Sequence, residues 1–357
     1  MLHRPVLRSL VPLVGAALAA AALAACGSSS SSTTTSTAKT ATQTSAAATS
    51  HYPVTIDNCG KPLTFDSAPT RAVANDINTS EDMLALGLQH SMVAVFGASG
   101  DGPEGQPYPS EYQQGFDEVK NVSPNYFTLE PLVGLHPDFL FAGWNYGYQV
   151  GTPLTPQRLA KFGIKALALD ESCAVVHPSR RSVSVDETYT DLTNLGQIFN
   201  VPQRASAVVD QMKAQIAVVQ QKVAGLKPVS VFDYDSGGSA PVTGPGLAMP
   251  TPLIALAGGT NIFAKLKESW TNVSWEQVVK AQPQCIIIND YGTPTWQQKL
   301  EFLRTFPAAR NLPAVRNNCI IHLAYDEVTP SPRNAEAVVA LARLLHPAAF
   351  GLPARAS

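Results

Sequence analysis

The sequence predicts an α/β protein of two pseudo-symmetric lobes, each with a parallel-type sheet, joined by one long rigid helix. Three observations carry that prediction. Short apolar runs alternate with amphipathic segments on both sides of residues 186–226, as in parallel sheets with helices on their faces. Residues 186–226 themselves hold apolar positions at helical spacing for about 40 residues, as a connecting helix would. Finally, "TLEPLVGLHPDFLFA" at 128–142 returns 146 positions later as "SWEQVVKAQPQCIII" at 274–288. Each copy has a hydroxyl residue two before a Glu, a Pro seven after it, and then an apolar run. Matched segments on either side of a helical spine mark an internal duplication.

In chain order, "YPVTIDNCGKPLTF" (52–65) alternates polar and apolar residues like an edge hairpin. "RAVAND" (71–76) reads as a strand, and "TSEDMLALGL" (79–88) as a helix with Thr79 or Ser80 as N-cap. Glu81 and Asp82 suit the first turn of that helix. "MVAVFG" is a strand; the repeated motif adds a helix and the strand "FLFAGW"; "TPQRLAKFG" and "KALALD" add another pair. The connecting segment is interrupted only around Asn200–Pro202, and Val208, Met212, Ile216 and Val219 trace one apolar face. Too few heptads hold for a coiled coil. Beyond it, "VSVFDYD", "CIIIND" and "CIIHL" are strands, while "TPLIALAG", "WEQVVKA", "WQQKLEFLRTF" and "NAEAVVALARLLH" are helices.

The start of the chain indicates the compartment. Arg4 and Arg8 precede an uncharged apolar run ending in Leu23-Ala24-Ala25-Cys26, the build of a secretory signal. The ending resembles the bacterial lipoprotein box, which makes Cys26 the lipidated residue and places the protein in the cell envelope, anchored to the outer face of the cytoplasmic membrane. A plain secretory signal is the alternative. The Ser/Thr/Ala tract over 27–51 buries nothing that would offset its chain entropy and reads as a tether. The expected organisation is signal 1–25, tether 26–51, N-terminal lobe 52–185, connecting helix 186–226 and C-terminal lobe 227–357. The signal holds two Arg and no acid, so its loss takes the net charge from −2 to −4. Outside it there is no basic block, which argues against a nucleic-acid partner; a monomer is expected.

Four cysteines follow Cys26, an even number in an oxidising compartment. Cys285 and Cys319 each open an apolar run and would meet at one edge if those runs are neighbouring parallel strands. Cys59 and Cys173 both sit beside turn residues. The expected disulfides are therefore Cys59–Cys173 and Cys285–Cys319. Metal binding by these thiols lacks the usual close ligand spacing.

The order and spacing of several segments resemble one family: "FDSAPTRAVANDINTSEDMLALGL", "YFTLEPLVGLHPDFLFA", "LGQIFNVPQRASAVVDQM", "YDSGGSAPVTG", "LIALAGGTNIFA" and "WTNVSWEQVVKAQP". This is the cluster of solute-binding proteins that serve ABC importers of ferric siderophores, haem and cobalamin, with two lobes on a helical backbone (the class III type). The resemblance spans about Tyr52 to Ala349. It implies capture of an iron chelate, foremost a ferric siderophore, between the lobes and delivery to a permease dimer. It also implies that Glu130 and Glu276 dock into that dimer. A carboxylate in the first turn of a short helix is favoured by the helix dipole, and two on matched lobes suit a symmetric partner. Taken singly, each Glu reads first as a helix-start residue; the duplication at matched spacing reverses that preference.

Ligands of open α/β sheets lie beyond the carboxyl ends of the strands. The candidate ligand residues are accordingly Asn75, Asn78, Trp144, Tyr146, Tyr148, Arg180, Tyr234, Asp235, Ser236, Trp270, Tyr291, Tyr325 and Arg333, with Asp76, Asn145, Glu171, Arg181, Asn289, Asp290 and Glu327 nearby. Aromatic walls with a few polar groups suit a large chelate. No cofactor, no resident metal and no enzymatic activity are expected. "DYDSGGSAP" contains the Asp-Ser-Gly-Gly of chymotrypsin-like nucleophiles, but the α/β pattern does not supply the all-β frame that triad needs. A zinc or manganese carrier would bring His to the cleft, and none of the His residues falls at a predicted cleft loop. Haem, cobalamin, and a structural or sensory surface lipoprotein remain as alternatives on the same scaffold.

Overall fold

The computed structural model describes residues 51–98, 110–177, 179 and 182–353. The expected hairpin consists of β1 (Val54–Asn58) and β2 (Lys61–Phe65), paired antiparallel. Its turn residues Cys59 and Gly60 take φ of 52° and 75°. The Cys59–Cys173 disulfide, with a Cα–Cα distance of 5.2 Å, ties the turn to the lobe behind it.

The N-terminal lobe continues with β3 (Ala72–Asn75), α1 (Ile77–Ala85), β4 (Met92–Phe96), α2 (Ser110–Asp117) and β5 (Val122–Ser123). Then come α3 (Leu129–Gly134), β6 (Phe139–Trp144), β7 (Gly147–Tyr148), α4 (Pro156–Leu159) and β8 (Lys165–Ala168). The strands lie in the order β5-β4-β3-β6, with β8 on the other flank of β6 and β7 at its end; every pair is parallel. One local expectation is corrected here. The N-cap of α1 is Asp76, whose side chain accepts the Ile77 N–H at 2.8 Å. The Thr79 and Ser80 hydroxyls instead turn back onto the carbonyls of Asn75 and Ile77, at 2.8 and 2.6 Å. The helix starts directly off the strand, so Glu81 and Asp82 fall inside it, buried.

The connecting segment is two helices, α5 (Asp186–Ile198) and α6 (Pro202–Val223). The break has a local cause: Asn200 adopts φ 56° and Pro202 opens α6 at a position where no N–H is needed. The 22 residues of α6 rise about 33 Å. Its buried face is Ala205, Val209, Met212, Ile216 and Val219, with Val208 half-buried at the edge.

The C-terminal lobe holds β9 (Val229–Tyr234), β10 (Val242–Thr243), α7 (Pro250–Leu256), β11 (Gly259–Asn261), β12 (Thr271–Asn272) and α8 (Trp275–Ala281). It ends with β13 (Cys285–Asp290), α9 (Trp296–Thr305), α10 (Pro313–Arg316), β14 (Ile320–Ala324), α11 (Tyr325–Val328) and α12 (Asn334–Leu345). Its sheet, β11-β9-β13-β14, is parallel throughout, and β10 and β12 pair antiparallel beside it. Cys285 and Cys319 join the starts of the adjacent strands β13 and β14.

Strand parity decides which core each residue enters. Phe139 and Phe141 of β6, and Cys285 and Ile287 of β13, belong to one cluster that runs through α5, α6 and α12. Their neighbours Leu140 and Ala142, and Ile286 and Ile288, face a separate cluster on the outer side of each lobe. Both faces of these strands are therefore buried, which explains their unbroken apolar runs. Among the described residues no helix is long and apolar enough to cross a membrane.

Candidate functional site

The two copies of the repeat place their acids alike. Glu130 lies in the first turn of α3 and Glu276 in the first turn of α8, and both are exposed. Each helix is followed by a left-handed residue, His136 at φ 48° and Gln282 at φ 47°. The next residue is a Pro in both copies, and it cannot extend the helix.

Side chains from strand ends and neighbouring loops meet between the lobes. Tyr146, just past β6, accepts a hydrogen bond from Trp270 Nε1 of the other lobe at 2.5 Å. Asp76, just past β3, accepts one from the Tyr325 hydroxyl of α11 at 2.8 Å, and its same Oδ2 accepts the hydroxyl of Tyr126. Asn78 Nδ2 crosses to the Pro330 carbonyl at 2.9 Å. Burial pushes the Asp76 carboxyl up to about 6; the two phenols and the Ile77 N–H pull it down, and the Asp326 charge adds to the rise. Burial also raises the Tyr146 phenol, helped by the charge of Glu171.

Deeper in the same interface, burial and the charge of Asp326 hold the Glu81 carboxyl well above the usual range. Arg333 opposes that shift. Its guanidinium pairs with Asp326 at 2.6 Å and Glu327 at 3.3 Å within its own lobe. On the C-terminal side, Asp235 takes the Ser236 hydroxyl at 2.9 Å and the Asn289 amide at 3.4 Å, while Tyr291 reaches the Asp235 carbonyl at 3.4 Å. Lys299 Nζ sits 3.6 Å from the centre of the Tyr291 ring.

Of the residues expected at the cleft, the structure brings Tyr146, Trp270 and Tyr325 together across the lobes, with Asn78 beside them. Asp235, Ser236 and Tyr291 form a second group at the end of β9. Asn75 is fully buried and holds the lobe together, donating to the Tyr146 carbonyl and accepting from the Phe127 N–H, both at 2.9 Å. Trp144 and Tyr148 pack on each other at 5.8 Å in the outer N-terminal cluster, where Tyr148 bonds the Leu167 carbonyl. Trp144 shares the parity of Leu140 and Ala142, which directs it to that face. Tyr234 packs on Trp275 and Phe302 in the outer C-terminal cluster. Arg180 and Cys26 lie outside the described residues. Tyr126 was not among the expected residues: the strand it follows, β5, is two residues long and leaves no apolar run in the sequence.

The model of the family described as periplasmic binding protein matches residues 73–326, from β3 to the start of α11, so that it includes both sheets and the cleft between them. The chain belongs to that family. It is a family of binding proteins rather than enzymes. This binding protein is similar to a vitamin B12-binding protein of Photorhabdus laumondii, with 26% identity over 62% of this chain and 72% of the relative. A periplasmic binding protein of Veillonella parvula shares 27% identity and superposes with a TM-score of 0.70 over 82% of this chain and 97% of its own. A structure from Saccharomonospora viridis, described as an ABC-type Fe3+-hydroxamate transport system, has the same fold. It superposes with a TM-score of 0.70 over 83% of this chain and 100% of its own, at 23% identity.

Proposed function

We propose that this binding protein captures a metal chelate, foremost a ferric siderophore, between its lobes and delivers it to the permease dimer of an ABC importer. One observation carries the reading: aromatic side chains bridge the two lobes, Tyr146 at the end of β6 to Trp270 in the loop before β12, and Tyr325 at the end of β14 to Asp76. A bulky ligand entering there exchanges those contacts for stacking and hydrogen bonds of its own. The Fe3+-hydroxamate description of the Saccharomonospora viridis structure supports this choice. Cobalamin is the second reading, favoured by the relative named for vitamin B12; haem would occupy the same cleft. Glu130 and Glu276, exposed on matched helices, would make the two contacts with the permease. Lipidation at Cys26 and the tether behind it would hold the protein on the outer face of the cytoplasmic membrane.

Tryptophan fluorescence tests the ligand class, because Trp270 stands at the junction. Titration with ferric trihydroxamates, haemin, cyanocobalamin and free divalent metals should give saturable quenching by a chelate. Quenching by a free divalent ion alone would contradict the proposal.

A further inference from the structure

The reading of the cleft as a chelate site leads one step further, to the charge of the chelate. Asp76 and Asp235 stand at equivalent strand ends of the two lobes. The reason is register: β3 and β9 pair alike with the two repeated strands, Ala74 with Phe141 and Asp233 with Ile287. The partners of both carboxylates are neutral. Asp76 accepts the Ile77 N–H and the hydroxyls of Tyr126 and Tyr325, and Asp235 accepts the Ser236 hydroxyl and the Asn289 amide. Among the described residues neither acid has an ion pair. Arg333 and Lys299 are committed within their own lobe. Arg333 pairs with Asp326, Glu327 and Glu336 at 2.6, 3.3 and 3.6 Å; Lys299 Nζ donates to the Asn289 carbonyl at 2.6 Å and covers the Tyr291 ring. Burial raises both carboxyls, Asp76 to about 6 and Asp235 against the lowering charge of Lys299. A buried carboxylate with only neutral partners gains most from a cation brought to it. The rings at the junction favour the same sign of charge. Tyr146, Trp270 and Tyr325 meet there, and Tyr126 keeps 39% of its surface in solvent beside Asp76. Electron-rich ring faces attract cations, more strongly once water is excluded.

We propose that the cleft selects chelates by charge: its ligand carries a protonated amine, and Asp76 and Asp235, one from each lobe, are the counter-charges that recognise it. The inference rests on the chelate reading above and narrows it to cationic complexes. A ferric trihydroxamate with a free amine arm is the type. Its three hydroxamates cancel the charge of the ferric ion, so the arm alone sets the charge of the complex. The iron stays wholly within its chelator, and no protein group has to reach it. A polyanionic chelate would instead meet like charge in both lobes. The groups facing Asp76 are the phenols of Tyr126, Tyr146 and Tyr325 and the carboxyl of Asp326. Burial raises all three phenols, so they stay neutral near pH 7.

One chelate core at three charges tests this: ferrioxamine B with its free amine, its N-acetyl form and its N-succinyl form, each titrated into the full chain by tryptophan fluorescence. The amine form should bind about tenfold or more tighter than the succinylated one, with the acetylated form between them. That preference should shrink as salt is raised, because added ions screen charge attraction. It should also fade as pH drops from about 7 to about 5, where Asp76 takes up a proton while the amine stays charged. Asp76→Asn and Asp235→Asn should each reduce the preference about threefold or more and leave the acetylated form within about twofold of wild type. Asp235→Asn keeps the test readable even if Asp76→Asn unfolds. Equal affinity for the three forms, or a preference for the succinylated one, overturns the inference while the chelate reading stands. If none of the three binds, and neither haemin nor cyanocobalamin does, both fall.

Discussion

Residues 128–144 and 274–290 are two copies of one backbone carrying different chemistry. Strands β6 and β13 begin and end at matched positions, and a left-handed residue precedes the Pro in each. Asp138 in one copy and Gln284 in the other perform the same task. Each accepts a backbone N–H from the neighbouring strand's start, of Arg71 at 2.9 Å and of Ser230 at 3.0 Å. Register extends the match to that neighbour: Ala74 pairs with Phe141 and Asp233 with Ile287. Asp76 and Asp235 therefore occupy equivalent strand ends. The copies part where the chain leaves the sheet. After β6 the chain turns at Asn145, φ 68°, to bring Tyr146 to the other lobe. After β13, Tyr291 stays in its own lobe under Lys299. The two copies keep what builds a lobe and differ in what they present at the proposed ligand cleft.

That division can be broken at several points. The largest effect should come from the shared surface acids. Changing Glu130 and Glu276 together to Ala should reduce chelate uptake by cells about tenfold or more while chelate affinity stays within about twofold of wild type. A structural or sensory role without transport predicts no change in uptake. Next is the shared core: Leu132 and Val278 are both fully buried. Leu132→Ala should cost about 2–5 kcal/mol in urea unfolding, and Val278→Ala less, since it removes fewer atoms.

A lobe-specific difference should follow pH. Asp233 is buried where the N-terminal lobe has Ala74, and burial pushes its carboxyl up to about 8, against the lowering effect of the Gly244 N–H. In the unfolded chain an Asp titrates near 3.9. The folded state binds that proton more tightly, so its contribution is complete below about pH 4 and is lost as pH rises towards 8, by about 1 kcal/mol per unit. Asp233→Asn should flatten that part of the stability curve; an identical slope in the variant would contradict the assignment. The smallest effect separates the two helix starts. Ser274 and Gln277 form a full capping box on α8, whereas Thr128 makes no side-chain cap on α3. Ser274→Ala should cost about 1 kcal/mol, and Thr128→Ala almost nothing.

The lobes and the repeat were legible in the sequence because each rests on local periodicity or spacing, and both disulfide pairings followed from keeping each bridge within one lobe. The division of the spine was marked by Asn200 and Pro202, yet their effect as a full break between α5 and α6 depends on a left-handed backbone that spacing does not record. The cleft was legible only in part. A strand-end position does not say which way the side chain points. Parity sends Trp144 and Tyr148 to the outer cluster while the turn at Asn145 sends Tyr146 to the other lobe. Asn75 follows a strand as expected, but its amide is used by the Tyr146 carbonyl and the Phe127 N–H. Tyr126 had no strand to announce it, and the buried position of Glu81 and Asp82 depended on α1 starting at Ile77.

The ligand is proposed to lie at the cross-lobe junction rather than along the outer faces of the lobes. Calorimetric titration of Trp270→Ala and Trp144→Phe tests it most directly, using whichever of a ferric trihydroxamate or cyanocobalamin quenches the wild type. We predict an affinity loss of about tenfold or more for Trp270→Ala, a 1.4 kcal/mol effect or larger, and wild-type affinity for Trp144→Phe. Full affinity in Trp270→Ala together with a loss in Trp144→Phe would contradict the account.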